Sequence, residues 1–132
     1  MRTIGRRLER LHEQQGLYIS ESAKSALSLF GLSEYDVKAY CALLELGPST
    51  ASELAIRSLV PYSKIYEVLG GLRKKGWVES YTARPTRFFP VSPGHAFAEA
   101  RMRFENELKE KQVLAVNELE PFYDRNCRTA KP

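Results

Sequence analysis

Apolar residues recur at intervals of three and four along most of the chain, which predicts a mainly helical protein. The first helix is predicted over residues 1–16 and the second over residues 22–30. Gly16 and Gly31 follow these two runs and act as stop signals.

Three further helices have clear start signals. Ser33-Glu-Tyr-Asp36 and Thr50-Ala-Ser-Glu53 have the form of capping boxes, and Pro61 suits the first position of a third helix that Gly76 ends. That third helix, over residues 61–75, is expected to turn one apolar face inward, formed by Ile65, Val68, Leu69 and Leu72.

The periodicity changes after Gly76. Residues 77–81 and 87–91 are aromatic and β-branched runs of strand length, separated by a loop short enough for a hairpin. Pro90 lies inside the second run, so we expect that strand at the edge of the sheet.

A long helix is predicted over residues 93–123. Its apolar stripe spans about seven turns, more than one side of a small domain usually covers, so pairing with a second copy is favoured over folding back onto its own domain. The residues predicted to form the dimer contact are Phe97, Phe104, Leu108, Ala115, Leu119 and Phe122.

The expected fold class is therefore mainly α with a small β-hairpin wing. The chain is divided into an N-terminal helical extension, a winged helix-turn-helix domain, a dimerisation helix and a flexible tail, at residues 1–31, 32–92, 93–123 and 124–132.

Composition adds the broad class. With 132 residues, 43% of them hydrophobic and 27% charged, the chain has the composition of one ordinary globular domain. It has no apolar run of membrane-spanning length and no signal peptide, so we expect a cytoplasmic protein.

The net charge of +4 is unevenly distributed. Residues 33–56 carry one lysine against four acidic residues, a net charge of −3, whereas residues 57–87 carry seven basic against two acidic residues, a net charge of +5. The positive charge therefore falls on the third helix and the hairpin, where DNA phosphates would need it.

The order of three helices and a hairpin over residues 33–91 describes a winged helix-turn-helix. In that architecture the third helix enters the major groove of double-stranded DNA, and the wing, at residues 82–87, lies on the backbone or in the minor groove. Tyr62, Ser63 and Lys64, in the first turn of the third helix, are the leading groove contacts, against the alternative of an ordinary solvated face.

Other candidates have stronger competing roles. Tyr66 is equally suited to contacting DNA and to covering the edge of the core. Glu67 is equally suited to accepting a hydrogen bond from a cytosine amino group and to forming an ion pair with Lys64 or Arg73. Arg73, Lys74 and Lys75 are expected to serve the helix dipole first and phosphate second. The wing supplies the last two candidates, a minor-groove or phosphate contact by Arg84 and a phosphate or cross-strand contact by Arg87.

Catalytic and metal-binding patterns are missing from the sequence. His12 and His95 have neither a nearby nucleophile nor metal-ligand spacing, so no enzyme, metal or cofactor is expected. Cys41 is interpreted as a small core residue and Cys127 as a free thiol in the tail, with an oxidant response through Cys127 left open.

Several ordered motifs resemble the TrmB family of transcriptional regulators. They cover roughly residues 27–97 and are Gly31–Tyr40, Leu43–Gly47, Thr50–Ala55, Pro61–Leu69, Lys75–Val78 and Arg84–Val91. The resemblance implies a dimeric, commonly archaeal, winged-helix regulator. It matches the start of the recognition helix to Pro61, Tyr62, Ser63, Lys64 and Tyr66, and the basic wing to Arg84 and Arg87.

Two departures from the family pattern matter. Larger members carry a C-terminal sugar-binding domain to which this resemblance does not extend, so sugar sensing is not expected to carry over. Gly70-Gly71 replaces a polar pair inside the recognition helix. These glycines either permit close helix packing or leave the helix flexible, and the sequence leaves that choice open.

The leading functional hypothesis is a dimeric, sequence-specific transcriptional regulator. Its alternatives are an architectural, chromatin-type protein that coats DNA with low specificity, and a winged helix that binds proteins of the transcription machinery. No small-molecule effector can be named from the sequence.

Overall fold

The computed structural model describes residues 18–130, so the helix predicted over residues 1–16 lies outside the described residues. Within them the protein is mainly helical with one small sheet, as predicted. The five helices of the described part are α1 (Glu21–Leu29), α2 (Glu34–Leu46), α3 (Ala51–Ser58), α4 (Tyr62–Lys74) and α5 (Pro93–Asn126). The three strands are β1 (Ser49–Thr50), β2 (Val78–Tyr81) and β3 (Arg87–Pro90), and a 3-10 turn covers Arg128–Ala130.

Ser33 and Thr50 are the N-caps of α2 and α3, as predicted. The Ser33 hydroxyl accepts a hydrogen bond from the Asp36 backbone N–H at 3.2 Å, and the Asp36 carboxylate accepts one from the Ser33 N–H at 2.9 Å. Thr50 accepts a hydrogen bond from the Glu53 N–H at 3.3 Å and so caps α3. Pro61 was predicted to be the first residue of α4. It is instead the N-cap, so the helix begins one residue later, at Tyr62.

The wing belongs to an antiparallel sheet with the strand order β1-β3-β2. The predicted hairpin is confirmed: β2 pairs with β3 so that Ser80 lies opposite Phe88. Strand β1, which was not predicted, pairs its Thr50 with Arg87 on the other side of β3. The wing is therefore joined to the residue that caps α3.

The expectation that Pro90 marks an edge strand is wrong, because β3 is the middle strand of the sheet. Strand β1 is only two residues long and pairs with Arg87 and Phe88. Pro90 lies beyond the end of β1 and pairs only with Val78 of β2. Its missing N–H therefore removes no hydrogen bond to β1.

The chain forms two compact units, the first ending at Phe97 and the second beginning at Ala98. In the first unit, the Trp77 ring is fully buried and packs edge-on against the rings of Tyr40 and Phe97, at centroid distances of 5.3 Å and 4.9 Å. The Tyr40 hydroxyl donates a hydrogen bond to the Val91 carbonyl at 2.7 Å, and burial raises the pKa of Tyr40 to about 12. This aromatic cluster holds the base of the wing against α2.

The second unit consists of the rest of α5 and the 3-10 turn. The helix continues to Asn126, three residues beyond its predicted end, so residues 124–130 are not the frayed tail expected from the sequence. Arg128 contributes to this order, because its guanidinium pairs with the carboxylates of Asp124 and Glu120 at 2.5 Å and 3.5 Å. Every residue from 101 to 129 is exposed.

None of the helices within residues 18–130 combines the length and the apolar character needed to cross a bilayer.

Candidate nucleic-acid interface

Helix α4 has one apolar and one polar face, as its spacing predicts. Its buried residues are Ile65, Val68, Leu69 and Leu72. Its exposed residues are Tyr62, Ser63, Lys64, Tyr66, Glu67, Gly70, Arg73 and Lys74. The side chains of α4 that the sequence predicts to contact DNA are therefore exposed to solvent.

Two tyrosines form an exposed aromatic pair on this helix. The Tyr62 and Tyr66 side chains are 60% and 58% exposed, and their rings meet edge to face with centroids 6.0 Å apart. Tyr66 thus points to solvent and does not cover the core. Hydrogen bonding to Tyr62 raises the pKa of the Tyr66 phenol.

Five basic side chains near this face have no acidic partner among residues 18–130: Lys64, Arg73, Lys74, Arg84 and Arg87. Arg84 is exposed in the loop between β2 and β3. Arg87 is half-buried in β3, opposite Thr50 on one side and Tyr81 on the other. These cations lie on the helix and the wing, and their charge is not neutralised within the described structure.

Two other basic residues of the same stretch are used inside the protein. Arg57 of α3 forms an ion pair with Glu45 of α2. The Lys75 ammonium lies 3.0 Å from the carboxylate of the buried Asp36 and 2.8 Å from the Gly31 carbonyl oxygen. The positive charge available to a ligand is thus smaller than the count over residues 57–87 suggests.

The Lys75 contacts also position α4. Lys75 is the C-cap of that helix, and Asp36 lies in the first turn of α2. Their ion pair ties the end of α4 to the start of α2. The sequence predicted that Lys75 would serve the helix dipole first, and its contacts show a tertiary role.

Glu67 forms no ion pair with Lys64 or Arg73 in the described structure, so that predicted alternative is wrong there. Its side chain is exposed on the same helix face. The carboxylate therefore remains available as a hydrogen-bond acceptor.

Among residues 18–130, no group of three His, Cys, Asp or Glu side chains is arranged to hold a metal ion. Cys41 is half-buried, and burial raises the pKa of its thiol, whereas Cys127 is exposed. His95 is also exposed.

Leu59 has an unusual backbone conformation that the sequence does not predict. It ends α3 immediately before the predicted recognition helix and has φ +61°, the left-handed region that few residues other than glycine adopt. Its side chain is 80% exposed. A leucine carries no sequence signal for this backbone conformation, so pattern reasoning could not find it.

Comparison with known proteins identifies relatives for the segment that contains the interface. The family model of the sugar-specific transcriptional regulator TrmB matches residues 27–94. The HTH-type sugar sensing transcriptional regulator TrmBL1 of Pyrococcus furiosus is 39% identical over 75 residues, which are 57% of this chain and 22% of that protein. The DNA-binding HTH-type transcriptional repressor TrmBL2 of Thermococcus kodakarensis is 34% identical over 82 residues, or 62% of this chain and 31% of that protein.

A solved structure supports the same relationship. The structure of TrmBL2, described as an archaeal chromatin protein with a novel mode of DNA binding, superposes with a TM-score of 0.67 at 29% identity. It covers 72% of this chain and 36% of the other. The chain thus spans less than a third of the length of both curated relatives above. The matched segment contains α2, α3, α4 and the wing, and the chain belongs to the TrmB family of transcriptional regulators.

Proposed function

We propose that the chain is a dimeric, sequence-specific DNA-binding regulator of transcription. Helix α4 enters the major groove, and the wing contacts the backbone or the minor groove. The observation that carries the proposal is the set of cations on α4 and the wing that have no acidic partner among residues 18–130, because phosphate binding needs basic groups that are not neutralised by the protein's own carboxylates.

The exposed face of α4 divides into two roles. Tyr62 and Ser63 present hydroxyl groups in the first turn of the helix that follows Pro61, where groove contacts usually lie. They are proposed to read base edges. Lys64 and the other unpaired cations supply phosphate contacts, which position the protein without carrying sequence information.

Replacement of Arg84 tests the phosphate role. Arg84→Ala is expected to weaken binding to a selected duplex and to a scrambled duplex alike, and to lower the slope of log affinity against log salt by about 1. Arg101→Ala is the control, because Arg101 is already paired with Glu105 at 2.7 Å. Filter binding over a salt series measures the affinity for each duplex and its salt dependence. Equal slopes for Arg84→Ala and wild type would contradict a phosphate contact by Arg84.

Replacement of Ser63 tests the reading role. Ser63→Ala is expected to change the ranking of duplexes recovered from a random-sequence pool, because a base contact is lost while the phosphate contacts remain. If Ser63→Ala and Arg84→Ala cause the same loss on selected and scrambled duplexes, the proposed division of roles is wrong.

We further propose that α5 dimerises the protein. From residue 101 to its end at Asn126 the helix leaves all its residues exposed, including Leu108 and Leu119 at 67% and 66%. An apolar stripe that its own unit does not cover is typical of a helix that packs against a partner. Phe97 is already packed against Trp77 and Phe30, so the proposed contact rests on Leu108, Ala115, Leu119 and Phe122, with Phe104 at its start.

A matched pair of charged substitutions tests the dimer. Leu108→Glu places a carboxylate on the apolar stripe, whereas Asn106→Glu adds the same group two residues away on the opposite face. Sedimentation equilibrium is expected to show a dimer for wild type and Asn106→Glu and a monomer for Leu108→Glu. A wild-type monomer at every concentration would exclude the dimer.

The alternative is an architectural protein that coats DNA with low specificity. It is favoured by one observation, the superposition on TrmBL2, which is described as a chromatin protein. Footprinting on a long promoter fragment separates the two functions. Discrete protected half-sites support the regulator, and continuous protection at rising protein concentration supports the architectural protein.

A further inference from the structure

We infer that Gly70 is a positioning residue of the DNA interface, and that its missing side chain lets the centre of α4 approach the floor of the major groove. The inference deepens the proposed function and rests on it. It concerns one of the two glycines whose role the sequence leaves open.

Gly70 lies at the centre of the outward face of α4. Successive residues of an α-helix are 100° apart, so the direction opposite the buried residues falls among Ser63, Glu67, Gly70 and Lys74. The Tyr62–Tyr66 pair lies on one flank of this line, and Gly71 lies on the other flank. Gly70 is therefore the one residue near this line that has no side chain, and it lies between Glu67 and Lys74.

No described part of the protein requires a glycine at this position. The backbone of Gly70 is helical and lies outside the left-handed region. A Cβ built on Gly70 meets nothing within 4 Å, and the residue is exposed. Neither a turn nor close packing of α4 within the described structure explains the glycine.

A glycine at position 70 destabilises α4. Glycine is a poor residue for a helix interior, and alanine would stabilise α4 at no steric cost. The residue is thus unfavourable for the helix and neutral for the packing. The reason for its presence is expected on the outer side of the helix, where the next turn carries the unpaired cations Arg73 and Lys74.

The dimensions of DNA supply that reason. The major groove is about 12 Å wide, and a helix with its side chains is about 10–12 Å across. A side chain on the flank of such a helix can turn toward the groove walls. At Gly70 the backbone itself faces the base edges, so a base edge can approach the axis of α4 more closely there than beside a residue with a side chain.

Two alanine substitutions in adjacent positions test the inference. Gly70→Ala and Gly71→Ala both add one methyl group to α4 with nothing within 4 Å, and both are expected to raise Tm by roughly 4–8 °C. Only Gly70→Ala is expected to weaken binding, by about tenfold on a duplex that wild type selects from a random-sequence pool. The measurements are thermal unfolding by circular dichroism and filter binding of that duplex.

The outcomes separate this inference from the proposed function. Unchanged or tighter binding by Gly70→Ala overturns the inference, provided that wild type binds and Arg84→Ala weakens binding. Equal losses for both alanine variants also overturn it, because they indicate that flexibility of α4 is what matters. A wild-type chain that binds neither selected nor scrambled duplexes overturns the proposed function and, with it, the inference.

Discussion

The two units differ in how they treat their apolar side chains. The first unit buries Trp77, Tyr40 and Leu69 almost completely, whereas the second exposes every residue from 101 to 129. The first unit therefore has the hydrophobic core that a fold needs for stability. The second is a helix whose apolar residues from position 101 onward are not buried within the described structure. In the proposed dimer, stability and assembly reside in different parts of the same chain.

The sharpest test of this difference compares two leucines. Leu69→Ala is expected to lower the free energy of unfolding of the first unit by about 2–5 kcal/mol, because a fully buried side chain is removed from α4. Leu114→Ala, in the exposed helix and outside the proposed dimer contact, is expected to change it by less than about 0.5 kcal/mol. Urea unfolding followed by near-ultraviolet circular dichroism measures both, and similar losses would abolish the distinction.

Two ion pairs provide the next test. Asp36→Ala removes a buried carboxylate that accepts hydrogen bonds from the Ser33 N–H and the Lys75 ammonium, with an expected loss of about 2 kcal/mol. Asp124→Ala breaks an exposed pair with Arg128, and a loss below about 1 kcal/mol is expected. Thermal unfolding compares them, and a larger loss for Asp124→Ala would reverse the argument.

Leu59, in the first unit, combines an exposed side chain with a strained backbone conformation. Leu59→Gly is expected to raise stability by about 1 kcal/mol, since glycine adopts φ +61° without the steric penalty and little buried surface is lost. Leu59→Ala retains a Cβ and is the control, with no gain expected. A destabilised Leu59→Gly variant would show that the leucine side chain contributes to the fold.

The smallest effect concerns the two thiols. Cys41 is half-buried in the first unit, and burial raises its pKa, whereas Cys127 is exposed in the second. Because the thiolate is the reactive form, iodoacetamide near neutral pH is expected to modify Cys127 first. The rate at Cys41 should continue to rise with pH beyond the range usual for a thiol. Mass spectrometry of timed digests measures both rates, and faster modification of Cys41 would contradict the burial difference.

Local signals predicted most of the helices. Ser33 and Thr50 cap α2 and α3 as their spacing indicates, and Gly76 follows the end of α4 with φ +84°. These signals act within three or four residues of the backbone groups they satisfy, so they can be read from sequence. The buried face of α4 was equally clear, because its period is set by helix geometry alone.

The missed features depend on partners far away in the chain. Strand β1 follows a Gly-Pro turn and exists because β3, some 38 residues later, pairs with it. The roles of Arg57 and Lys75 follow from acidic residues 12 and 39 positions away. A charge count includes these cations in the candidate interface, whereas the fold pairs them with carboxylates of α2.

The position of Trp77 has a spectroscopic consequence. It is the only tryptophan of the chain, it is fully buried, and its backbone N–H donates a hydrogen bond to the Leu72 carbonyl oxygen of α4 at 2.9 Å. Its intrinsic fluorescence therefore reports on the point where α4, the wing and the first turn of α5 meet. A red shift on addition of DNA would mean that this junction opens, and an unchanged emission maximum would mean that the winged helix binds as a rigid body.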